Sequence, residues 1–367
     1  MPVKTAYSTK ETSAAVAELK HQCGALDPRV VLCFASTKYG PADLSRELKN
    51  AFPNACVAGC STAGEIVSGQ MLTGSVVAMF LDSDVIEDAC CAEVRNLRGG
   101  NGVRDAFHEL ESHFGAPLSN MDIEKYVGLV LMDGMSAAEE RLMEEIGDRT
   151  DLFFVGGSAG DDLKFERTWV LADGQAHTDA AVLVLLKVRK GFDFIKTQSF
   201  VTTGKTLVAA EVDRPSRRVA GFNGKSALEA YAEAVGVPSD KAADEFMRHP
   251  LGLMVDGQPF VRSPQRVQGD ALAFYCQIVD GAELELLSST DIVADTRSAL
   301  EAKKAELGEI SGIIDFDCIL RTLELRAEQR TSEYGAIFGD VPVIGFSTYG
   351  EAYLGHLNQT STMLILR

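Results

Sequence analysis

Three short stretches of this chain share one pattern of glycine, hydroxyl and carboxylate residues. Residues 57–75 read VAGCSTAGEIVSGQMLTGS and residues 343–361 read VIGFSTYGEAYLGHLNQTS, which align without a gap at eight identities in nineteen positions. A middle copy at residues 155–161, VGGSAGD, is one residue shorter and ends in aspartate. Glycine permits sharp turns, and serine and threonine hydroxyls hold such turns by hydrogen bonds to the backbone. The pattern predicts one duplicated turn whose role is either structural or ligand-binding.

Each copy follows a predicted buried strand, and open α/β sheets bind ligands beyond the carboxyl ends of their strands. In the ligand-binding interpretation, the polar groups of the first and third copies line a pocket. Two arginines in or after strand segments could grip a ligand carboxylate, although a salt bridge to a protein acid is the alternative for each. The candidate ligand-binding residues from these arguments are Ser61, Thr62, Glu65, Ser347, Thr348, Glu351, Arg262 and Arg321.

The six histidines form no metal-chelating pair, because no two have the H-x-x-x-H spacing or a similar one. A zinc enzyme is therefore not expected. A single histidine suffices as the axial ligand of a haem iron, with surface or capping roles as the alternative. His356 occupies the position of Gln70 in the first copy, and His249 precedes Pro250, where a strand is predicted to begin.

Two apparent functional motifs lack their required context. The G-x-S-x-G around Ser158 follows a strand, but a hydrolase nucleophile elbow needs a helix next, and a strand is predicted at residues 167–171. Residues 221–226 resemble the end of a phosphate-binding loop, yet Val219 stands where that motif requires glycine. The eight cysteines include no C-x-x-C and are interpreted as reduced thiols, with zinc or redox chemistry as the alternative. No catalytic residue is assigned, and an enzyme is not expected.

The elements that must position these residues recur along the chain. A module of strand, helix, strand, turn and two further strands is predicted at about residues 28–95, 126–201 and 312–367. We expect an α/β (mixed α+β) protein of two lobes built from these modules, with mixed β-sheets flanked by helices. The N-terminal lobe takes residues 28–212, and the C-terminal lobe, 213–367, combines a strand-rich part with the third module. The first and third turns are expected to face each other about a pseudo-twofold axis.

Composition excludes several classes of partner. The chain of 367 residues has 53 acidic side chains against 35 Lys and Arg, a formal net charge of −18. Nucleic acids and anionic membrane surfaces require clustered positive charge, which the sequence lacks. No apolar run approaches the length of a transmembrane helix, and the N-terminus lacks the apolar stretch of a secretory signal. A cytoplasmic location is therefore expected.

Several motifs together resemble the FIST family. They are the G-x-S-T-x-G-E turns, NGKSAL at residues 223–228, HPL at 249–251, VRS at 261–263 and GFSTYGE with HLNQT at 345–360. The resemblance covers residues 28–366. It implies a sensory domain with an N-terminal and a C-terminal FIST part. Such domains bind a small ligand, for which amino acids have been proposed, and act on signalling proteins.

Within the family the chain is most similar to the stand-alone NosP-type haem-binding nitric-oxide sensors, because of DCILR at residues 317–321 and the H-x-N-Q-T motif. This resemblance implies a haem b cofactor, bound non-covalently since no C-x-x-C-H occurs. It gives His356 as the first candidate for the iron ligand and His249 as the second, with Asn358 as a further ligand-binding candidate.

The function implied by the resemblance is a sensor of nitric oxide that regulates a partner histidine kinase. Because the family pattern extends to Leu366, the kinase is expected on a separate chain. One alternative is an apo sensor for an amino acid or another small metabolite, and a second is an enzyme of unknown type. A homo-oligomer remains open.

Overall fold

The computed structural model describes residues 2–100 and 102–367, and the chain divides into two compact units. Within the described residues, the larger unit runs to Thr197 and continues through Thr296–His356 and Ser361–Arg367. The smaller unit comprises Gln198–Asp295 and Leu357–Thr360. The mixed α/β class with several helix-flanked sheets is confirmed. No helix among the described residues is long and apolar enough to cross a membrane.

The larger unit contains three repeats, each of which begins with a strand and a helix that the predicted module lacks. The strands at Ile86–Arg95 and Phe192–Gln198, which the predicted bounds place at the ends of the first two modules, begin the second and third repeats instead. The first repeat consists of β1 (Val3–Ser8), α1 (Thr12–Cys23), β2 (Val30–Ser36), α2 (Pro41–Ala51), β3 (Cys56–Thr62), β4 (Glu65–Val67), β5 (Gln70–Leu72) and β6 (Val76–Leu81). The second consists of β7 (Ile86–Arg95), α3 (Val103–Phe114), β8 (Tyr126–Met132), α4 (Glu139–Gly147), β9 (Phe154–Ser158), β10 (Val170–Ala172), β11 (Gln175–His177) and β12 (Ala180–Val188). The two repeats therefore have the same order of elements.

The third repeat begins with β13 (Phe192–Gln198) and is then interrupted by the smaller unit. That unit contains β14 (Phe200–Asp213), β15 (Arg218–Phe222), β16 (Lys225–Ser226), α5 (Ala227–Val235), β17 (Leu251–Val255), β18 (Gln258–Arg262), β19 (Pro264–Gln268), β20 (Ala271–Phe274) and β21 (Glu283–Ser289). The third repeat resumes with α6 (Ile292–Leu307), β22 (Gly312–Cys318), α7 (Ile319–Ala327), α8 (Thr331–Ala336), β23 (Val343–Thr348), β24 (Glu351–Tyr353), β25 (His356–Leu357) and β26 (Thr360–Leu366).

Each repeat forms the centre of one six-stranded sheet around a parallel pair, which is β2–β3, β8–β9 or β22–β23. β2 and β8 are almost entirely apolar because both of their faces are buried. β22 is equally buried but carries Asp315 and Asp317. One hydrophobic cluster takes side chains from all three sheets, among them Leu32, Leu129 and Ile314. On the outer face of the first sheet, Leu19 and Leu48 of its helices complete a second cluster.

The short hairpin after each parallel pair joins the sheet of a different repeat. Three pairings of this kind occur: Glu65 of β4 opposite Phe346 of β23, Glu351 of β24 opposite Gly157 of β9, and Val170 of β10 opposite Cys60 of β3. The first repeat thus pairs with the third, the third with the second, and the second with the first. The three repeats close into a cyclic arrangement.

This arrangement differs from the two lobes expected from the sequence. The third module lies in the same unit as the first two, because its sheet shares their hydrophobic cluster and exchanges hairpins with them. The strand-rich segment is an insertion between β13 and α6. The expected lobe boundary at residues 212–213 falls at the end of β14, inside the smaller unit. A cyclic relation of three turns replaces the expected pseudo-twofold relation of two.

Candidate functional site

The three turns predicted from the sequence meet at the carboxyl ends of β3, β9 and β23. We call residues 61–65, 158–161 and 347–351 the turn ring. Three backbone hydrogen bonds connect its members: Ser347 N donates to Gly64 O at 2.8 Å, Ser158 N to Gly350 O at 2.8 Å, and Gly160 N to Ser61 O at 2.9 Å. The turn ring is therefore continuous around the junction of the three repeats.

The two glutamates of the turn ring are buried and bonded within their own repeats. Thr62 Oγ1 donates to Glu65 Oε1 at 2.5 Å, and the backbone N and Oγ of Ser75 donate to Glu65 Oε2 at 2.9 and 2.7 Å. Thr348 Oγ1 donates to Glu351 Oε1 at 2.5 Å in the same way. Burial raises the pKa of Glu65 to about 6, against the opposing effect of the hydrogen bonds from Ser75 and Thr62. Both carboxyl groups fasten their own hairpins.

The serine hydroxyls of the turn ring are engaged as well. Ser61 Oγ donates to Gly160 O at 2.7 Å, and the hydroxyls of Ser347 and Thr322 lie 2.8 Å apart. The ring is packed closely, since a Cβ on Gly160 would lie 2.6 Å from Ala63 N. Ser61, Thr62, Glu65, Ser347, Thr348 and Glu351 are thus brought together as predicted, but they are at most 5% exposed. Their contacts in this structure brace the three repeats.

The middle turn does not carry its acid at the position of the two glutamates. In the second repeat, Val170 occupies the hairpin position that Glu65 and Glu351 occupy in the other two repeats. A longer connection leads from the middle turn to Val170. Asp161 instead accepts hydrogen bonds from Tyr349 Oη at 2.6 Å and from three backbone amides of residues 165–167 at 2.7–2.9 Å. Burial acts to raise the pKa of Asp161, but these bonds outweigh it and hold the pKa below its ordinary value. Asp161 therefore shapes the longer connection.

Ser158 is not placed as a hydrolase nucleophile. Its side chain is 0% exposed, and its Oγ donates to Glu139 Oε1 at 3.5 Å. The chain continues through the turn at Asp161 to β10 rather than into a helix. The strand-to-helix elbow that exposes a catalytic serine is thus replaced by a strand-to-strand connection.

Beside the turn ring lies a partly exposed group of polar and aromatic side chains, which we call the rim. Thr37 donates to Asp162 Oδ2 through its N at 3.0 Å and its Oγ1 at 2.5 Å, and Lys164 Nζ donates to Thr37 Oγ1 at 2.9 Å. The ring of Phe165, which is 50% exposed, stacks on Tyr349 with centroids 4.8 Å apart. The rim consists of Thr37, Asp162, Lys164, Phe165 and Arg326, together with Tyr349, which it shares with the turn ring.

Arg326 of α7 is the rim residue with the most unused hydrogen-bonding capacity. Its half-buried guanidinium reaches the first turn, where Nη2 lies 3.5 Å from Ala63 O, and it forms no ion pair within the described part of the chain. A Cβ on Gly64 would lie 2.8 Å from Nη2. Burial lowers the pKa of Arg326, while the nearby Glu65 and Asp162 act to raise it. No local pattern in the sequence indicates this residue, because its approach to residue 63 is a contact between repeats.

Arg321, which the sequence analysis selected, is a buried ion-pair partner. Its Nε donates to Asp317 Oδ1 at 2.7 Å, and its Nη2 to Thr296 Oγ1 at 3.0 Å. The hydroxyl of Tyr334 lies 3.2 Å from both Asp317 Oδ1 and Asp315 Oδ2. Burial acts to lower the pKa of Arg321, but Asp317 outweighs it and raises the pKa above its ordinary value. The salt bridge considered as the alternative for Arg321 is the contact that the structure contains.

His356 does not fit a haem ligand as placed. It is 6% exposed, and a Cβ on Gly350 would lie 2.1 Å from His356 Cε1 and 3.1 Å from each ring nitrogen. Cε1 therefore faces the Gly350 backbone, and a porphyrin on either nitrogen would overlap that backbone. The absence of a side chain at Gly350 lets the imidazole pack there.

His249, in the smaller unit, fits an iron ligand better. Its Nδ1 lies 3.1 Å from Leu287 O, and because a carbonyl oxygen only accepts, Nδ1 carries a proton and Nε2 is the nitrogen that a metal could use. A metal-bound histidine is usually oriented by a hydrogen bond that its second ring nitrogen donates, for example to a backbone carbonyl. The side chain is 28% exposed, and Glu245 Oε2 lies 3.6 Å from Nε2. Iron on Nε2 would have to displace that carboxylate.

The remaining two candidates also lie in the smaller unit. Arg262 is half-buried at the end of β18, with Nη1 donating to Val261 O at 3.1 Å. Asn358 is 1% exposed, and its Oδ1 has no hydrogen-bond partner among the described residues. Neither residue belongs to the turn ring or the rim. In the described part of the chain, no group of three or more His, Cys, Asp or Glu could hold a metal ion.

The proteins to which this chain is similar include a curated relative and a solved structure. The chain is 23% identical over 276 residues to an uncharacterised protein of Methanocaldococcus jannaschii, across 71% of this chain and 53% of the relative. It thus spans about half the length of that relative. The crystal structure of cyanuric acid hydrolase from A. caulinodans aligns over 100% of this chain and 98% of its own at 10% identity. The TM-score of this alignment is 0.37.

Two family models cover nearly the whole chain. The FIST N domain matches residues 29–225, and the FIST C domain matches residues 227–353. Domains of this family are small-ligand-binding sensory domains in signalling. The first model spans the first repeat from β2 onward, the second repeat, β13 and the start of the insertion. The second spans the rest of the insertion and most of the third repeat. On these matches, the chain belongs to the FIST family of sensory domains.

Proposed function

We propose that this protein is a small-ligand sensor whose ligand binds at the rim, with Arg326 holding a ligand carboxylate. The single observation that carries the proposal is the half-buried guanidinium of Arg326, which makes one long hydrogen bond and no ion pair within the described residues. Arginine binds carboxylates through two parallel hydrogen bonds, and partial burial strengthens such contacts. Asp162 and Lys164 add charges of both signs, which suits an amino acid or a similar metabolite.

The position of the rim supports a signalling role. Arg326 belongs to the third repeat, Thr37 to the first, and Asp162 to the second. A ligand in contact with all three would bind best when the three repeats hold their closed arrangement, so binding would shift the population of that arrangement. In this proposal the protein performs no chemistry on its ligand. Its partner is a histidine kinase in the cytoplasm, as the family resemblance implies.

If the ligand carries a carboxylate, replacing Arg326 should weaken its binding. Amino acids and dicarboxylates, tested one at a time, should include a compound that raises the melting temperature of the full chain, since a ligand bound to the native state stabilises it by mass action. Arg326→Met should weaken the affinity for that compound roughly 10- to 100-fold, because the variant loses a hydrogen bond from a charged group. Isothermal titration of both proteins measures the change.

A matched control separates this effect from a loss of net charge. Arg330→Met removes the same charge one turn further along the chain, where Arg330 pairs with Glu333 at 3.0 Å. It should leave the affinity within about twofold of the unaltered protein, because surface ion pairs contribute little. Equal affinities of the Arg326→Met variant and the unaltered protein would contradict the rim as the binding site.

Haem is a second candidate ligand, favoured by the contact between His249 Nδ1 and Leu287 O. We propose His249 as its ligand in preference to His356. Haem iron would supply a site for nitric oxide, while Leu287 fixes the imidazole and Tyr231 Oη holds the His249 carbonyl at 2.8 Å. Haemin added to the purified protein should give a histidine-type Soret band, which His249→Ala abolishes and His21→Ala, at an exposed histidine, retains. An unchanged band in His249→Ala excludes this ligand.

A further inference from the structure

The second repeat has a cavity that belongs neither to the turn ring nor to the rim. Its volume is about 500 Å³, and it is lined by Arg104, Asp105, Phe107, His108, Glu111 and Arg149. All of these residues except Arg149 lie in α3, and Arg149 follows the end of α4 by two residues. A volume of this size is within the range of cavities that hold small molecules.

Two residues of α3 give this cavity a fixed wall. Phe107 is 5% exposed, and its ring stacks on that of Phe154 in β9 with centroids 6.4 Å apart. Glu111 Oε1 accepts a hydrogen bond from Leu118 N at 3.0 Å, which holds the carboxylate in place. A site whose wall is ordered before binding loses less entropy when a ligand enters.

Three nitrogen-bearing side chains of the cavity have their hydrogen-bond donors available. Arg104 and His108 are four residues apart, so they lie on the same face of α3, and Arg149 lines the same cavity. All three are exposed, and none of their side chains forms a hydrogen bond or ion pair with another described residue. Guanidinium groups bind oxyanions through two parallel hydrogen bonds, so an oxyanion is the ligand group that this set fits.

We propose that this cavity binds a small phosphate monoester that carries hydroxyl groups. Two guanidinium groups and an imidazole supply more donors than the two oxygens of a carboxylate need, and they match the three acceptor oxygens of a phosphate ester. Arg104 is the second residue of α3, so the free backbone N–H groups of the first helical turn also favour an anion there. The site shares no residue with the rim, and the proposal is independent of the ligand bound there.

The two acidic residues of the cavity define the remainder of the ligand. Asp105 and Glu111 line the same cavity as the arginines, and ionised carboxylates accept hydrogen bonds from hydroxyl groups. Their negative charges repel a second phosphate group, which disfavours diphosphates and triphosphates. The volume also leaves room beside one phosphate group. A phosphorylated polyol therefore fits the cavity better than inorganic phosphate or a polyphosphate does.

Isothermal titration of the full chain with glycerol 3-phosphate, glucose 6-phosphate, inorganic phosphate and glucose tests the proposal. At least one of the two esters should bind about tenfold more tightly than inorganic phosphate, because its hydroxyl groups add hydrogen bonds, and glucose should not bind measurably. Arg104→Met and Arg149→Met should each weaken the affinity for that ester roughly 10- to 100-fold, since each removes hydrogen bonds from a charged group.

Two control variants separate this site from general charge attraction and from the rim. Arg46→Met removes an exposed arginine of α2 that pairs with Asp43, and it should leave the affinity within about twofold, as should Arg326→Met. An equal loss in Arg46→Met, or no binding of either ester to the unaltered protein, would overturn the proposal. Inorganic phosphate that binds as tightly as both esters would contradict the ligand class. If an arginine variant does not fold, protection of Arg104 and Arg149 from phenylglyoxal by the bound ester, mapped by mass spectrometry on the unaltered protein, decides instead.

Discussion

Replacing Arg321 with methionine is expected to lower the free energy of unfolding by roughly 3–5 kcal/mol, because it leaves a buried carboxylate without its cation. Asp317 is 0% exposed, and its contacts with Arg321 Nε and with the Tyr334 and Thr322 hydroxyls hold it in the core. Asp317 is fully buried beside the carboxyl group of Asp315, so no water can take the place of the lost guanidinium. Urea denaturation of the two proteins at neutral pH measures the difference.

Two further variants distinguish an ion-pair effect from a general loss of helix packing. Arg326 lies on the same helix and makes only a long contact with Ala63, so Arg326→Met should lower the free energy of unfolding by less than about 1 kcal/mol. Adding Asp317→Leu to Arg321→Met should recover most of the lost stability, since buried ion pairs are often replaced by apolar residues at little cost. If the double variant is no more stable than Arg321→Met alone, the loss comes from packing.

The sequence contained the information for the cores of the three repeats. Continuous apolar runs at residues 30–35 and 127–132 predict strands buried on both faces, and both are central strands of their sheets. The duplicated turns were also visible, because glycine, serine and threonine at fixed spacing are a local signal. Both features depend on neighbouring residues alone, so local patterns suffice to predict them.

The exchange of hairpins between repeats could not be predicted in the same way. Nothing near Glu65 in the sequence indicates that β4 pairs with β23 rather than with its own sheet. The strand Val3–Ser8 was missed as well, because its mixed burial lacks a clear alternation of apolar and polar residues. Pairings between distant segments are decided by the packing of whole sheets, which one sequence does not display.

The two arginines of α7 show the same limit within the candidate site. Arg321 lies in the first turn of α7 and pairs with Asp317 near the end of β22, so this ion pair is a local contact between adjacent elements. Arg326 lies five residues further, on another side of the helix, where the partner surface is the first turn. Which side faces a binding site depends on the closed arrangement of the repeats. Sequence reasoning therefore selected the structural arginine and missed the one on the rim.

Asp315 is placed to hold a proton up to near neutral pH. Its Oδ1 accepts from Ser361 Oγ at 2.7 Å, and its Oδ2 lies 3.2 Å from Tyr334 Oη, which lies equally far from Asp317 Oδ1. The one phenolic proton cannot serve both carboxylates, whereas a proton on Asp315 lets it donate to Tyr334 and Tyr334 donate to Asp317. Burial, and then the charge of Asp317, raises the pKa of Asp315 to about 7.

Asp315→Asn is therefore expected to remove a pH dependence of stability. In the unfolded chain this carboxyl group has its ordinary pKa of 3.8, so between about pH 4 and 7 the folded protein holds a proton that the unfolded chain releases. The free energy of unfolding of the unaltered protein should fall over that range, by roughly 2–4 kcal/mol, and level off above it. An amide keeps the hydrogen bonds without titrating, so the variant should gain in relative stability as the pH rises.

Urea denaturation of both proteins from pH 5 to pH 9 measures this difference. Subtracting the two profiles cancels the other titrating groups, including Glu65, provided that the substitution leaves their surroundings unchanged. Ser361→Ala is the matched control, because it removes a partner of Asp315 without removing the titrating group and should retain the fall with pH. Parallel profiles for the unaltered protein and Asp315→Asn would mean that Asp315 is already ionised at neutral pH and that Arg321 compensates both carboxylates.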